Sequence, residues 1–164
     1  KFIKREFSID IELDFEIHNE IVPQDIVGVN INGIVREPRI GIGIKSSKPK
    51  NSYLVLGENE IAINERRSDF YIFCRPDIPD DHLLRITRDR VKKMMENQQH
   101  YSSYKDIVPK FENMFCEIVG WCKLEELEKV RGIEGQEFDG YRFVRKSGLL
   151  HKNLESWREL SNKL

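Results

Sequence analysis

The sequence predicts an α+β domain, and three observations carry that prediction. Apolar residues alternate with polar ones from Phe7 to Ile17 without a break, the period of a strand with one buried face. Asn32-Gly33 lies between two strand-like runs, the strongest short-range hairpin signal. Leu83, Leu84, Ile86, Val91 and Met94 then recur at roughly helical spacing inside 80–98, behind Asp80 and Asp81 as candidate caps.

The elements follow in order. Phe7, Ile9, Ile11, Leu13, Phe15 and Ile17 face one way, and Ser8, Asp10, Glu12, Asp14, Glu16 and His18 the other. The acidic side reads as a solvated face. Pro23 punctuates, Ile26, Val27, Val29 and Ile31 have strand density, and "IVREPRIGIGIKSS" returns after the Asn-Gly turn. Residues 7–47 are therefore expected to form a three-stranded antiparallel meander. Strands are expected at 52–56, 69–74 and 114–121, with a polar stretch between the first two. A second helix is expected within 103–113, a short one over 123–130 that Gly132 stops, a short strand at the end of "GIEGQEFDGYRFV", and a helical tail at "LESWREL". With no internal repeat and no linker, one domain over 1–164 is the economical organisation, with 1–98 as its core and 99–164 as a C-terminal α/β extension packed on it.

The 164 residues suffice for a real core, and 39% hydrophobic against 34% charged residues excludes both a disordered chain and an integral membrane protein. No apolar run approaches the roughly 18 residues a membrane helix needs, and no signal-peptide pattern is present. The chain opens at Lys1 rather than Met, so residues are expected to precede it. Cys74, Cys116 and Cys122 form no disulfide framework, which points to a reducing cytoplasm, and with His100 they lack the spacing of a zinc site.

The stretch "RIGIGIKSSKPK", residues 39–50, raises the chemical question. Ile40, Ile42 and Ile44 alternate with Gly41 and Gly43, so one face of the strand is bare just before Lys45, Ser46 and Ser47. A helix or bulky side chains over the two glycines is one reading of this bare face, and close approach of another group to the backbone is the other. No phosphate-cradling loop, dinucleotide fingerprint, nucleophile elbow or H-E-x-x-H motif occurs. Asp25 opens one expected strand and Lys45 ends the next, which places them at one end of the sheet. Such a pair is either an ordinary surface ion pair or a site for phosphodiester cleavage, in which the carboxylate holds a divalent ion and the lysine assists the water.

"PQDIVGVNING…RIGIGIKSSKPK" resembles the PD-(D/E)xK nuclease superfamily, the fold of many restriction endonucleases. The family's Asp matches Asp25, and its acidic-x-Lys element matches Gly43-Ile44-Lys45 with the acid missing. The likeness covers about residues 5–98. It implies a restriction-endonuclease-like core, with a mixed central sheet that starts with an antiparallel meander and is flanked by helices. It also implies Mg²⁺ or Mn²⁺ as cofactor, Asp25 as metal ligand and Lys45 as catalytic. The acid lost at Gly43 is expected from Glu58 or Glu60, about a dozen residues on, or from Glu16 or Glu20. Without it the chain would be a DNA-binding or assembly module that does not cut.

The net charge of −1 excludes a uniformly basic protein. Lys48 and Lys50 with Ser46 and Ser47, Arg66 and Arg67, the 85–93 stretch, and "YRFVRKSGLLHK" with Arg142, Arg145 and Lys146 are the local candidates for gripping double-stranded DNA. A symmetric site would call for a homodimer. A protein-interaction domain without a nucleic-acid role is the remaining reading.

Overall fold

A computed structural model of the chain describes residues 1–14, 18–19, 22, 24–79, 87–88, 91–92, 95 and 115–164. Its elements are α1 (Phe2–Phe7), β1 (Ile9–Leu13), β2 (Ile26–Ile31), β3 (Ile34–Arg36), β4 (Ile42–Ser46), β5 (Tyr53–Gly57), α2 (Glu58–Ile61), β6 (Phe70–Pro76), β7 (Cys116–Lys123), β8 (Glu128–Ile133), β9 (Gln136–Lys146) and α3 (Leu154–Lys163). The α+β class holds, with strands predominating. They form three small sheets, β1-β2-β3, β4-β6-β7 and β5-β9-β8, rather than one central sheet.

The first sheet is an antiparallel meander, shorter than its alternation suggests. Phe7 ends α1 instead of opening β1, because Ser8 turns the chain with φ 57° and Phe2 and Phe7 meet edge-to-face. Residues 15–17, the far end of the expected strand, lie outside the described residues. Asn32 and Gly33 both have positive φ, as the tight hairpin turn requires. The third strand is only Ile34–Arg36. The glycine-isoleucine stretch does not extend it, and β4 instead pairs in parallel with β6, Ile42 beside Phe70 through Ser46 beside Cys74.

That middle sheet is buried on both faces. Ile42, Phe70, Ile72 and Trp121 pack with Ile9, Ile26 and Val29 of the meander and with Trp157, Leu160 and Leu164. Tyr71, Phe73 and Cys122 pack the other way against Leu54, Leu56, Ile61 and Leu150. Cover on two faces explains the unbroken apolar run Phe70–Phe73, where each side chain contributes about 1.5–3 kcal/mol by burial. The middle sheet thus lies between the other two, and the chain reaches its second layer only by leaving the meander at Glu37.

Residues past 99 supply β7 to the middle sheet and β8 and β9 to the sheet that holds β5, so strands from both halves of the chain share hydrogen bonds. The expected helix over 123–130 is a correction. A single 3₁₀ turn, Leu124–Glu126, is followed by β8, whose partner β9 runs for eleven residues where a short strand was expected. Helical spacing of Leu124 and Leu127 exists, but both side chains lie against the apolar layer beneath the sheet, and strand pairing outweighs the weak propensity of so short a helix. The expected helix within 103–113 lies outside the described residues, as does most of the one over 80–98. The tail is helical, with Asn153 accepting the Ser156 N–H at its N-cap.

Candidate functional site

β4 uses one edge to pair with β6. Its other edge is met by two residues, Gln24 and Asp25, which stand in for a strand. Gln24 Nε2 donates to the Ile40 carbonyl and the Ile42 N–H donates to Gln24 Oε1, both at 2.9 Å. The Asp25 N–H donates to the Ile42 carbonyl at 2.9 Å, and the Ile44 N–H donates to Asp25 Oδ2 at 2.5 Å. Asp25 is thereby held beside the residue that precedes Lys45. Asp25 bonds to Ile42 and Ile44, the first and middle residues of β4, rather than lying across a hairpin from Lys45 as the sequence suggested. The Asn-Gly hairpin pairs β2 with β3, and Asp25 crosses from the meander to the next sheet.

Gly43 is covered by side chains. A Cβ there would lie 2.8 Å from Ser68 Oγ and 3.0 Å from the Tyr71 ring. The same place near Gly41 is filled by the backbone of Ser68 and Asp69, and the Gly41 N–H donates to Asp69 Oδ2 at 2.8 Å. The bare face of "RIGIGIK" is therefore packing space for Tyr71 and its turn, and position 43 has no room for a carboxylate. Tyr71 is buried, and its hydroxyl accepts the Ser68 N–H at 3.0 Å. Burial raises its phenol pKa, against hydrogen bonds from Ser68 and the nearby Lys45 charge, so the ring stays a neutral phenol.

Lys45 emerges past Tyr71 and its Nζ donates to Glu60 Oε2 at 2.5 Å. Glu60 is the third residue of α2, and its Oε1 accepts the Gly57 N–H at the helix start, at 3.0 Å. Both carboxylate oxygens are thus used, and the pair is partly open to solvent, with 32% of Lys45 and 22% of Glu60 side chains exposed. Glu58 turns elsewhere and pairs with Lys129 at 2.7 Å, whose ammonium also lies 4.4 Å from the Tyr141 ring centre. Of the two glutamates expected after the lysine, the structure brings Glu60 to it. Glu16 and Glu20 lie outside the described residues.

The polar stretch after β4 folds into a turn. The Ser47 N–H donates to the Cys74 carbonyl at 3.1 Å, Asn51 Nδ2 reaches Ser47 Oγ, and the Asn51 N–H closes on the Lys48 carbonyl. Ser46, Lys48 and Lys50 are exposed beside it. Arg66 ends a 3₁₀ turn, Asn64–Arg66, and Arg67 is exposed after it, on the loop that returns to Ser68. Three contributors escaped the sequence reading: Gln24, Ser68 and Tyr71. Gln24 was adjacent to a residue already singled out. Ser68 and Tyr71 carried no local signal, because their role is to fill space over Gly43.

Asp25 is bonded to the middle of β4 and Glu60 to Lys45 further along it, and among the described residues no three Asp, Glu, His or Cys side chains converge on one point. A magnesium ion needs only one or two protein carboxylates where phosphate oxygens complete its shell, and carboxylates are the donor type it takes. No family model, no curated protein and no solved structure matches the chain.

Proposed function

We propose that this chain is a metal-dependent DNA endonuclease of the restriction-enzyme type, hydrolysing phosphodiester bonds in double-stranded DNA, with the site at the end of β4. The single observation that carries the reading is the return of Glu60 to Lys45, fifteen residues later, on a strand whose middle N–H, that of Ile44, donates to Asp25. Asp25, and Glu60 when Lys45 releases it, would hold Mg²⁺ or Mn²⁺. When bound, the metal would polarise the phosphate and its attacking water. Lys45 would steady charge developing on the phosphate and orient the nucleophile. Tyr71 and Ser68 set the course of the Lys45 side chain by filling the space over Gly43. Lys48, Lys50 and Arg67, with Ser46 and Ser47, are the flanking phosphate contacts. A cytoplasmic homodimer would suit a symmetric duplex site.

One observation favours the alternative, a DNA-binding or assembly module that does not cut. Both Glu60 oxygens are engaged within the protein, one by Lys45 and one by the Gly57 N–H. The test is incubation with supercoiled plasmid in Mg²⁺, in Mn²⁺ and in EDTA, with Ca²⁺ for binding without turnover. Nicking that EDTA stops, and that Asp25→Ala abolishes, supports the nuclease. Binding in Ca²⁺ without nicking in any metal favours the module. Failure to bind at low salt removes both and leaves a protein-interaction domain.

A further inference from the structure

β6 and β7 carry a thiol couple with no place in the reading above. The register sets Cys74 opposite Ile118 and Cys116 opposite Pro76, so the two cysteines are diagonal neighbours on one face of the sheet. Cys116 is exposed and Cys74 is half-buried against the layer between this sheet and the meander. Burial first, and then the adjacent Cys116 thiol with its hydrogen bond, pushes the Cys74 thiol up to about 12. Cys122 is fully buried on the opposite face, among Leu54, Tyr71 and Phe73. The couple sits at a neck: Arg75 pairs with Glu117 at 3.3 Å and the Asp77 N–H donates to the Phe115 carbonyl at 2.7 Å, so chain positions 77 and 115 are already joined there.

We propose that Cys74 and Cys116 are a redox pair that closes into a cross-strand disulfide when the protein meets a hydroperoxide. The exposed Cys116 sulfur attacks the peroxide and the O–O bond breaks. Cys116 becomes a sulfenic acid, and the alcohol or water derived from the peroxide leaves. Cys74 then attacks the sulfenic sulfur, the S–O bond breaks, and its hydroxyl departs as water with the Cys74 proton. Two thiols lose two electrons in all, and the peroxide gains them. Burial keeps Cys74 protonated and unreactive towards the oxidant itself, which fixes the order of events, and the burial of Cys122 removes it from the exchange. The product clamps the neck of the segment between β6 and β7. It does so one register step from Lys45, since Ser46 pairs with Cys74 as Lys45 pairs with Phe73. The inference does not rest on the nuclease reading.

The test treats the full chain with hydrogen peroxide, alkylates remaining thiols, and maps peptides by mass. The expected result is a cross-linked Cys74–Cys116 peptide pair lighter by two hydrogens, opened again by dithiothreitol, with Cys122 alkylated only after unfolding. Cys74→Ser should leave Cys116 to oxidise onward to the sulfinic acid faster than in the parent. Closing the loop between 74 and 116 should also raise the melting midpoint by roughly 5–10 °C. The inference is overturned if Cys74 stays alkylatable while Cys116 is over-oxidised or links two chains. It is overturned equally if Cys74→Ser leaves the over-oxidation rate unchanged, or if the oxidised chain melts no higher than the reduced one.

Discussion

Glu60 and Glu126 are the same device used in two places. Each is the third residue of a one-turn helix, and each carboxylate accepts the N–H at that helix's start, Gly57 for one and Lys123 for the other. Their side chains are about equally exposed, at 22% and 23%. What differs is the partner. Glu126 meets His151 Nε2 at 2.9 Å and lies 4.0 Å from Arg145 Nη2, while Arg145 Nη1 also donates to the Glu126 carbonyl. His151 in turn stacks on Trp121 and exchanges two main-chain hydrogen bonds with it. The chain passes so close there that a Cβ on Gly120 would sit 2.7 Å from the His151 carbonyl. Glu126 therefore ties a loop to the middle sheet. Glu60 has one lysine instead, Lys45 of β4, on a strand that also bonds Asp25 through Ile44. Identical local chemistry gives a fastening in one place and a candidate site in the other, and the number of partners decides which.

The largest expected effect falls on Asp25. Asp25→Asn keeps an oxygen for the Ile44 N–H, so the fold should survive, while loss of the charge should reduce metal-dependent nicking by at least about 10²-fold with DNA binding retained. Plasmid assays alongside a melting curve check this. Nicking at the parent rate would make Asp25 an edge cap and nothing more. Glu60→Gln should also reduce nicking, and parent-like cutting by it would return the missing acid to the undescribed glutamates.

Gly43→Asp tests the opposite idea, that the chain simply lacks its acid. The new side chain meets Ser68 Oγ and the Tyr71 ring, so the variant should lose about 1–3 kcal/mol of stability without gaining activity. Denaturant titration measures the loss. A stable variant with faster cleavage would show that Tyr71 yields.

Glu126 provides the contrasting pH test. Burial pushes its carboxyl up, but the Lys123 N–H, His151 and Arg145 outweigh that and hold it below the ordinary 4.5. A carboxyl lowered by folding contributes stability that is complete above its unfolded value and is lost as pH falls through the folded one. Glu126→Gln should therefore flatten the acid limb of the stability curve below about 4.5. It should cost about 1 kcal/mol at neutral pH and leave nicking and binding unchanged. An effect on cleavage as large as that of Glu60→Gln would erase the distinction between the two glutamates. The smallest effect belongs to Lys48 and Lys50. Changing each to Ala should lower the salt slope of DNA binding by about one, since each phosphate neutralised releases counterions. An unchanged slope would place the contacts elsewhere.

What the sequence by itself determined is what lies within a turn or a period of the chain. The alternation over 9–13, the Asn32-Gly33 turn, the strand-like runs at 52–56, 69–74 and 114–121 (each within about two residues of the observed strand at either end), and the helical tail all form from neighbours in sequence, so their residues announce them. The option of a glutamate about a dozen residues after Lys45 was legible in the same way, and Glu60 is the one that reaches it. The tertiary structure alone decided that β4 leaves the meander for a parallel partner 28 positions away. It also decided that Gln24 and Asp25 close the free edge of β4, that 128–133 is strand and not helix, and that Tyr71 occupies the face Gly43 leaves bare. Each of these depends on which backbone N–H or which patch of space a distant segment fills. Hydrogen bonds and packing of that kind are set by the whole fold and leave no period in the chain to read.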